Sequence, residues 1–439
     1  MKKRIDRSKI SYDVGKRGIG IPRLVAKLGG SISFGDILVA IKYLINRRHL
    51  IDGQSITEYE QAFAKQVGVQ YGISFCSGRV ALYALLRSLG VGSGDEVLLQ
   101  VPTHIVVANA IRYTGATPVY VDCLIENYNM DLKQAEQKIT PRTKVLILQH
   151  TFGIPVDLDA ALALAQENNI IILEDCVHSL GATFDGRQVG SFGKAAFFST
   201  EETKTISSTM GGMAVTDDPE LAKKMIAFQS SCPNQSNSLT VYYLLRLIFY
   251  HIFSQPYLHP YTRRLYTSFR KGSQKTLTID TATDDEQHGL RPPIYEQKLS
   301  NAQAEIALRQ LQRLQSNIEH RRKVASAYHN ELNKHGIIIP RSPAKANPVF
   351  VRFPVWVDDP KTFFRDTEYS FQLGEWFTSV LEESASPTYG GYDLGSCPHA
   401  EASTQHLVNL PTHPSVNPRD VDTIINTMVL LNSVHNPSK

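Results

Sequence analysis

Four short stretches of this chain carry side chains that can do chemistry together. Lys204 lies in a polar loop after the apolar run 195–198, with small residues (Thr205, Ser207, Ser208, Thr209) and then Gly211-Gly212 beyond it. An amine so placed can form an imine with a carbonyl and then move a proton between carbons. Asp175 ends the run Ile171-Ile172-Leu173-Glu174-Asp175. A carboxylate there can keep the nitrogen of an aromatic heterocycle protonated, which makes the ring an electron sink. Cys76-Ser77-Gly78-Arg79 falls between a predicted strand and a predicted helix. Free N–H groups at a helix start hold phosphate; Gly78 lets the backbone approach an anion and Ser77 can donate to it. His104, in Pro102-Thr103-His104, is a flat group that can lie against a ring face. Amine, carboxylate, anion cradle and ring platform are together what amino-group transfer through an aldehyde cofactor requires.

Taken singly, each stretch has an ordinary explanation. A loop lysine is usually a solvated charge, Ser-Gly is common turn chemistry, His104 suits a partly buried turn, and Asp175 could cap a helix. Their order along the chain is what lifts them, so the elements that position them matter.

From residue 56 onward the chain alternates strand-like and helix-like runs. A helix over 58–67 leads to a strand at 71–75 and a helix at 80–89 stopped by Gly90. Strands at 96–101, 118–121, 144–149, 170–173, 195–198 and 213–216 follow, with helices at 106–113 and 158–167. This rhythm predicts an α/β fold with a large, mostly parallel sheet covered by helices on both faces. Asp175 then falls at the carboxyl end of a parallel strand, where ligands collect in open sheets. Residues 231–294 break the rhythm, running polar, aromatic-apolar, basic (Arg263, Arg264, Arg270, Lys271, Lys275) and then acidic. After them, 299–333 reads as one long helix or two joined ones. A strand-like run at 348–357 and a helix-like run at 418–431 suit a smaller α+β domain. The expected organisation is an extension (1–52), a large domain (53–230), an insert (231–294) and a smaller C-terminal domain (295–439).

The bulk properties narrow the class. At 439 residues, two domains are the expectation. With 42% hydrophobic and 20% charged residues the chain is globular, and a net charge of +4 offers no concentrated basic face for nucleic acid. The five scattered cysteines form neither a zinc pattern nor a disulfide framework, which suits a reducing cytoplasm and leaves no metal site to expect. Met-Lys-Lys-Arg at the start has no apolar run directly behind it, so a signal peptide is not expected. The apolar stretch 239–253 is too short to span a bilayer and holds Arg246 and His251. With the arginines that follow it, the segment 239–275 reads either as an interfacial membrane helix or, preferably, as a helical excursion packed on a dimer or over the active-site mouth. Gly15-x-x-Gly18-x-Gly20 follows no strand, so a dinucleotide site there is not expected.

The segments Ser77-Gly78-Arg79-Val80-Ala81-Leu82, Gly94-Asp95-Glu96-Val97, Gly115-Ala116-Thr117-Pro118-Val119, His150-Thr151-Phe152-Gly153, Glu174-Asp175, Gly190-Ser191-Phe192-Gly193, Phe198-Ser199, Lys204 and Gly211-Gly212 occur in family order. On them the chain resembles the DegT/StrS nucleotide-sugar aminotransferases, fold-type-I enzymes that use pyridoxal 5'-phosphate. The resemblance implies that Lys204 carries the cofactor as a Schiff base, that Asp175 faces the pyridine nitrogen, and that Ser77, Gly78, Arg79 and Ser199 hold the phosphate. It further implies His104 against the ring face and His178 near the phenolic oxygen. The implied partners are glutamate as amino donor, a nucleotide-linked keto-sugar as acceptor, and a second copy of the chain sharing its active site.

Four departures from the family pattern bear on the acceptor. Arg79 stands where the family has Thr, His104 replaces an aromatic ring, and Met210 replaces an acid before Gly-Gly. Glu296-Gln297-Lys298-Leu299-Ser300 aligns with the family's Asn-x-Arg-Met-Ser. A carboxylate at 296 near the cofactor phosphate would need a cation, and Arg79 is the expected one, paired with the phosphate, with Glu296 or with both. The alternative is that Glu296 points away. A related enzyme acting on a non-sugar acceptor, or a cofactor-binding regulator without catalysis, are the competing readings, and retention of Lys204 and Asp175 speaks against the last.

Overall fold

The computed structural model describes residues 23–26, 29, 31–262, 281–367 and 371–435. The Gly15–Gly20 cluster and the basic residues Arg263 to Lys275 lie outside them.

Seven strands rich in Val, Ile and Leu make one central sheet: β1 (Tyr71–Phe75), β2 (Glu96–Gln100), β3 (Thr117–Val121), β4 (Thr143–Gln149), β5 (Ile171–Asp175), β6 (Ala195–Ser199) and β7 (Gly212–Thr216). Their spatial order is β1-β7-β6-β5-β4-β2-β3. Pairs within β3-β2-β4-β5-β6 are parallel, and β7 runs antiparallel to both β6 and β1. Successive strand residues face opposite sides, and the packing follows that alternation. Val145 and Ile147 enter one apolar core while Leu146 and Leu148 enter the other. Strands buried on both faces read as continuous apolar runs for this reason.

Helices α1 (Phe34–Ile45), α2 (Ser55–Val67), α3 (Gly78–Ser88), α4 (Ile105–Arg112), α5 (Asn237–Phe253), α6 (Asn301–Leu311), α7 (Leu314–Lys334) and α8 (Pro418–His435) do most of the positioning. Local chemistry sets their ends: Ser33 closes a capping box with Asp36 on α1, and Gly68 at φ 86° terminates α2. The span expected to be one helix or two is two, α6 and α7. The strand expected at 348–357 is shorter. Only β8 (Phe353–Trp356) pairs, antiparallel, with β9 (Leu407–Leu410), because the N–H groups of Val349 and Val351 bond instead to the carbonyls of Gly153 and Phe152. Around this pair α7 and α8 close a separate core from Tyr328, Leu332, Phe353, Val355, Ile424 and Met428.

The N-terminal extension and the interrupting segment meet. Ile37, Ala40 and Tyr43 of α1, Leu244 and Leu247 of α5, and Ile306 of α6 form one small core. The outer faces of α1 and α5 leave Phe34, Leu38, Ile45, Tyr242, Phe249 and Phe253 exposed. Among the described residues no helix is long and apolar enough to cross a membrane.

Candidate active site

The parallel register brings Gln149 beside Asp175 and Asp175 beside Phe197, so the carboxyl ends of β4, β5 and β6 open at one level. A cleft lies over them, about 1210 Å³ of empty space counting its open mouth. Ser77, Gly78, Arg79, His104, Asp175, His178, Ser199 and Lys204 all line it, as does Met210.

The anion cradle is built by close approach. Ser77 caps α3 by accepting from the Val80 N–H, which leaves the first N–H groups of the helix directed into the cleft. A Cβ on Gly212 would lie 2.2 Å from the Ser77 carbonyl, and one on Gly78 would press on Ser199 at 3.1 Å. Only glycine lets β7, the α3 start and Ser199 converge there.

The charged groups sit deep. Asp175 is 1% exposed, its Oδ1 accepting from the Val177 N–H at 3.1 Å, and no basic side chain among the described residues pairs with it. Burial raises its carboxyl to about 6, against the pull of that N–H and of Lys204. Lys204 is also buried. Burial lowers its amine to about 8, with Glu201 and Asp175 opposing, and Nζ lies 4.6 Å from the centre of the Trp376 ring. Burial likewise holds His178 neutral, and neither of its ring nitrogens has a partner among the described residues. Its ring runs parallel to Phe152 and touches Trp376.

His104 is tied down on both sides. Nδ1 accepts from the Val106 N–H, capping α4, which makes Nε2 the protonated nitrogen facing Glu383 at 3.3 Å and Thr281 Oγ1 at 3.1 Å. Burial disfavours the Glu383 charge, yet His104 and the N–H groups of Ala282 and Thr281 bring its carboxyl down to about 2.

Beneath the cleft, Glu174 is wholly buried and accepts from His150 and from the N–H groups of Gly190, Phe192 and Gly193. His150, Glu174 and Cys176 are the one group among the described residues close enough to share a metal ion, but both Glu174 oxygens are already occupied by these donors.

The expected pairing of Arg79 with Glu296 needs correction. Its guanidinium bonds Glu286 and the Thr281 carbonyl, not Glu296, while Glu296 pairs with Arg291. The reason is proximity in space: residues 281–288 fold back over α3 and α4, with Asn109 Nδ2 bonding the Glu286 carbonyl, so Glu286 reaches the buried guanidinium. Glu296 and Lys298 do not line the cleft.

Several lining residues escape a motif reading: Glu201, Glu202, Tyr250, Thr281, Arg352, Trp376 and Glu383. Tyr250 comes from α5, and the same helix sends Arg246 to Glu202 in a two-pronged bond of 2.6 and 2.9 Å. A signal existed for Arg352, which is the lone charge in the apolar run 349–357.

A mostly parallel sheet presenting a buried lysine and aspartate at its carboxyl edge, with a second small domain closing the cleft, is the architecture of a fold-type-I aminotransferase. The family model described as the DegT/DnrJ/EryC1/StrS aminotransferase family matches residues 35–243 and 268–429, and the chain belongs to that family, whose cofactor is pyridoxal 5'-phosphate. It is 30% identical over 380 residues to the GDP-perosamine synthase of Caulobacter vibrioides, covering 85% of this chain and 89% of that one. A GDP-perosamine synthase of Escherichia coli O157:H7 is 40% identical over 177 residues, 40% of this chain, which spans about half (49%) of that relative's length. Among solved structures, DesV of S. venezuelae in complex with a ketimine intermediate superposes with a TM-score of 0.71 at 26% identity, covering 93% of this chain and 98% of that one.

Proposed function

We propose that this enzyme transfers an amino group from glutamate to a keto-sugar carried on a nucleotide, working as a homodimer in the cytoplasm. The observation that carries the reading is the pair Lys204 and Asp175, both buried in one cleft and each with its ionisation moved toward neutrality by burial. The names of the similar proteins support a sugar nucleotide as acceptor. The dimer and the donor rest on the family resemblance, and five free cysteines suit a reducing compartment.

The residues present fit pyridoxal phosphate. Asp175, buried without a cationic partner among the described residues, suits a protonated pyridine nitrogen; the free N–H groups opening α3, with Ser77 and Ser199, suit the phosphate. By the family resemblance His104 would lie against the ring face and His178 near the phenolic oxygen. When bound, the cofactor supplies the electron sink for the reaction. Lys204, with its amine lowered to about 8, is partly neutral at physiological pH and can accept and return a proton at Nζ. Glu383 fixes the orientation of His104, and Trp376 screens the Lys204 amine from bulk water.

The test is a set of nucleotide-linked keto-sugars incubated with holoenzyme and glutamate, with products weighed by mass spectrometry. An aminated sugar nucleotide with matching release of 2-oxoglutarate is expected. Release of 2-oxoglutarate only with non-sugar keto acids would remove the sugar from the account.

A further inference from the structure

Two polar groups in the cleft have no part in the chemistry described above. Arg352 stands at the entry to β8 with 6% of its surface exposed, and its guanidinium meets no hydrogen-bond acceptor among the described residues. The carboxylates whose charge reaches it are Glu201 and Glu382, and both are spent elsewhere. Glu201 accepts from the N–H and hydroxyl of Thr203, and Glu382 from Thr378 and the Ser379 N–H. The second group is Tyr250 on α5. Its hydroxyl is buried without a partner among the described residues and lies within reach of the Arg352 charge.

An unpaired guanidinium taken out of water is costly unless an anion arrives to pair with it. Its position says which anion. Arg352 Cζ lies 4.3 Å and Lys204 Nζ 4.6 Å from the centre of the same Trp376 ring, so a group bound at Arg352 is held within one small molecule's length of the reacting amine. Planar bidentate binding of a carboxylate is what a guanidinium does best, and a neighbouring phenol hydroxyl can add a third donor. An amino acid carries its amine and its carboxylate on one carbon, so a donor whose carboxylate is held at Arg352 keeps its amine on the Lys204 side of the cleft.

We propose that Arg352 and Tyr250 form a carboxylate-binding site beside Lys204 that seats the carboxylate of the amino donor. The proposal rests on the aminotransferase reading, but the site itself is a property of these two side chains and of the inserted helix that brings Tyr250 into the cleft. A carboxylate on the sugar acceptor has the same chemistry, and the two sources separate experimentally.

Holoenzyme is titrated with glutarate and with 2-oxoglutarate by calorimetry, using wild type, Arg352→Met, Arg352→Lys and Tyr250→Phe. Loss of a charge-assisted pair should raise Kd about 10- to 100-fold in Arg352→Met. Arg352→Lys, which keeps charge but not the fork, should fall between, and Tyr250→Phe should weaken binding less. The two half-reactions are then followed separately by the cofactor's absorbance. A raised KM for glutamate with an unchanged acceptor half-reaction establishes the donor; a change confined to the acceptor half-reaction moves the carboxylate to the sugar and overturns the donor assignment. Unchanged glutarate binding in both Arg352→Met and Tyr250→Phe overturns the site. Should Arg352→Met fail to fold, Tyr250→Phe still decides, because its hydroxyl bonds nothing among the described residues. If glutarate binding depends on Arg352 while no keto-sugar is ever aminated, the carboxylate site stands and the sugar acceptor falls.

Discussion

The two sides of the cleft are assembled by different means. On one side Ser77, Asp175, Ser199 and Lys204 stand at or just beyond strand ends of the central sheet, each held by the regular geometry of that sheet. On the other, Tyr250, Thr281, Arg352 and Glu383 arrive from the inserted helix, the segment after it and the smaller domain, and Glu286 pairs with Arg79 behind them. The first side is rigid by topology and needs few specific bonds. The second is held by buried electrostatics: Arg79 with Glu286, His104 with Glu383, Arg246 with Glu202. A scaffold of the first kind keeps a cofactor site in place, while one of the second kind can be rebuilt to suit a particular acceptor.

That contrast can be broken most forcefully at Glu286. Removing its charge leaves the Arg79 guanidinium buried and uncompensated, and breaking such a pair costs about 3–5 kcal/mol. Glu286→Gln should therefore lower the denaturant midpoint sharply while the bound-cofactor spectrum of the folded fraction stays as in wild type. Replacing both partners with methionine should restore much of the stability. A Glu286→Gln spectrum that loses its visible band would mean the two sides are not independent.

A smaller effect sharpens the same contrast through pH. In the unfolded chain Lys204 holds its proton up to about 10.5, but in the folded cofactor-free protein only up to about 8. The unfolded state therefore binds more protons between these values, and stability should rise with pH across that window by about 3 kcal/mol. Asp175 works oppositely. Its carboxyl is raised from 3.8 to about 6, so the folded state binds the extra proton and stability should fall as pH climbs between those values. Thermal melts of the cofactor-free protein should show both slopes. Lys204→Met should flatten the upper one alone, and Asp175→Asn the lower one alone.

Legibility in the sequence follows the same division. The strands and helices of the large domain were readable because strict apolar runs alternate with amphipathic ones, and the motifs sat at their junctions. Ser77, Asp175 and Lys204 fall where a strand gives way to a loop or helix, which is a local feature. The protein partner of Arg79 is not legible because Glu286 lies 207 positions away, and no spacing rule links the two. The strand at 348–357 was overextended because its apolar pattern cannot reveal that Val349 and Val351 bond to the loop at 152–153. Tyr250 was hidden in an apolar helix whose exposed face drew attention, while the informative residue was the one turned inward.

The central claim is that Lys204 is the residue that holds the cofactor, and absorption spectroscopy of purified holoenzyme tests it most directly. Wild type should show a visible band of lysine-bound cofactor that glutamate bleaches, and Lys204→Ala, reconstituted under the same conditions, should show none. An equally intense band in Lys204→Ala would place the covalent link on another residue and contradict the account.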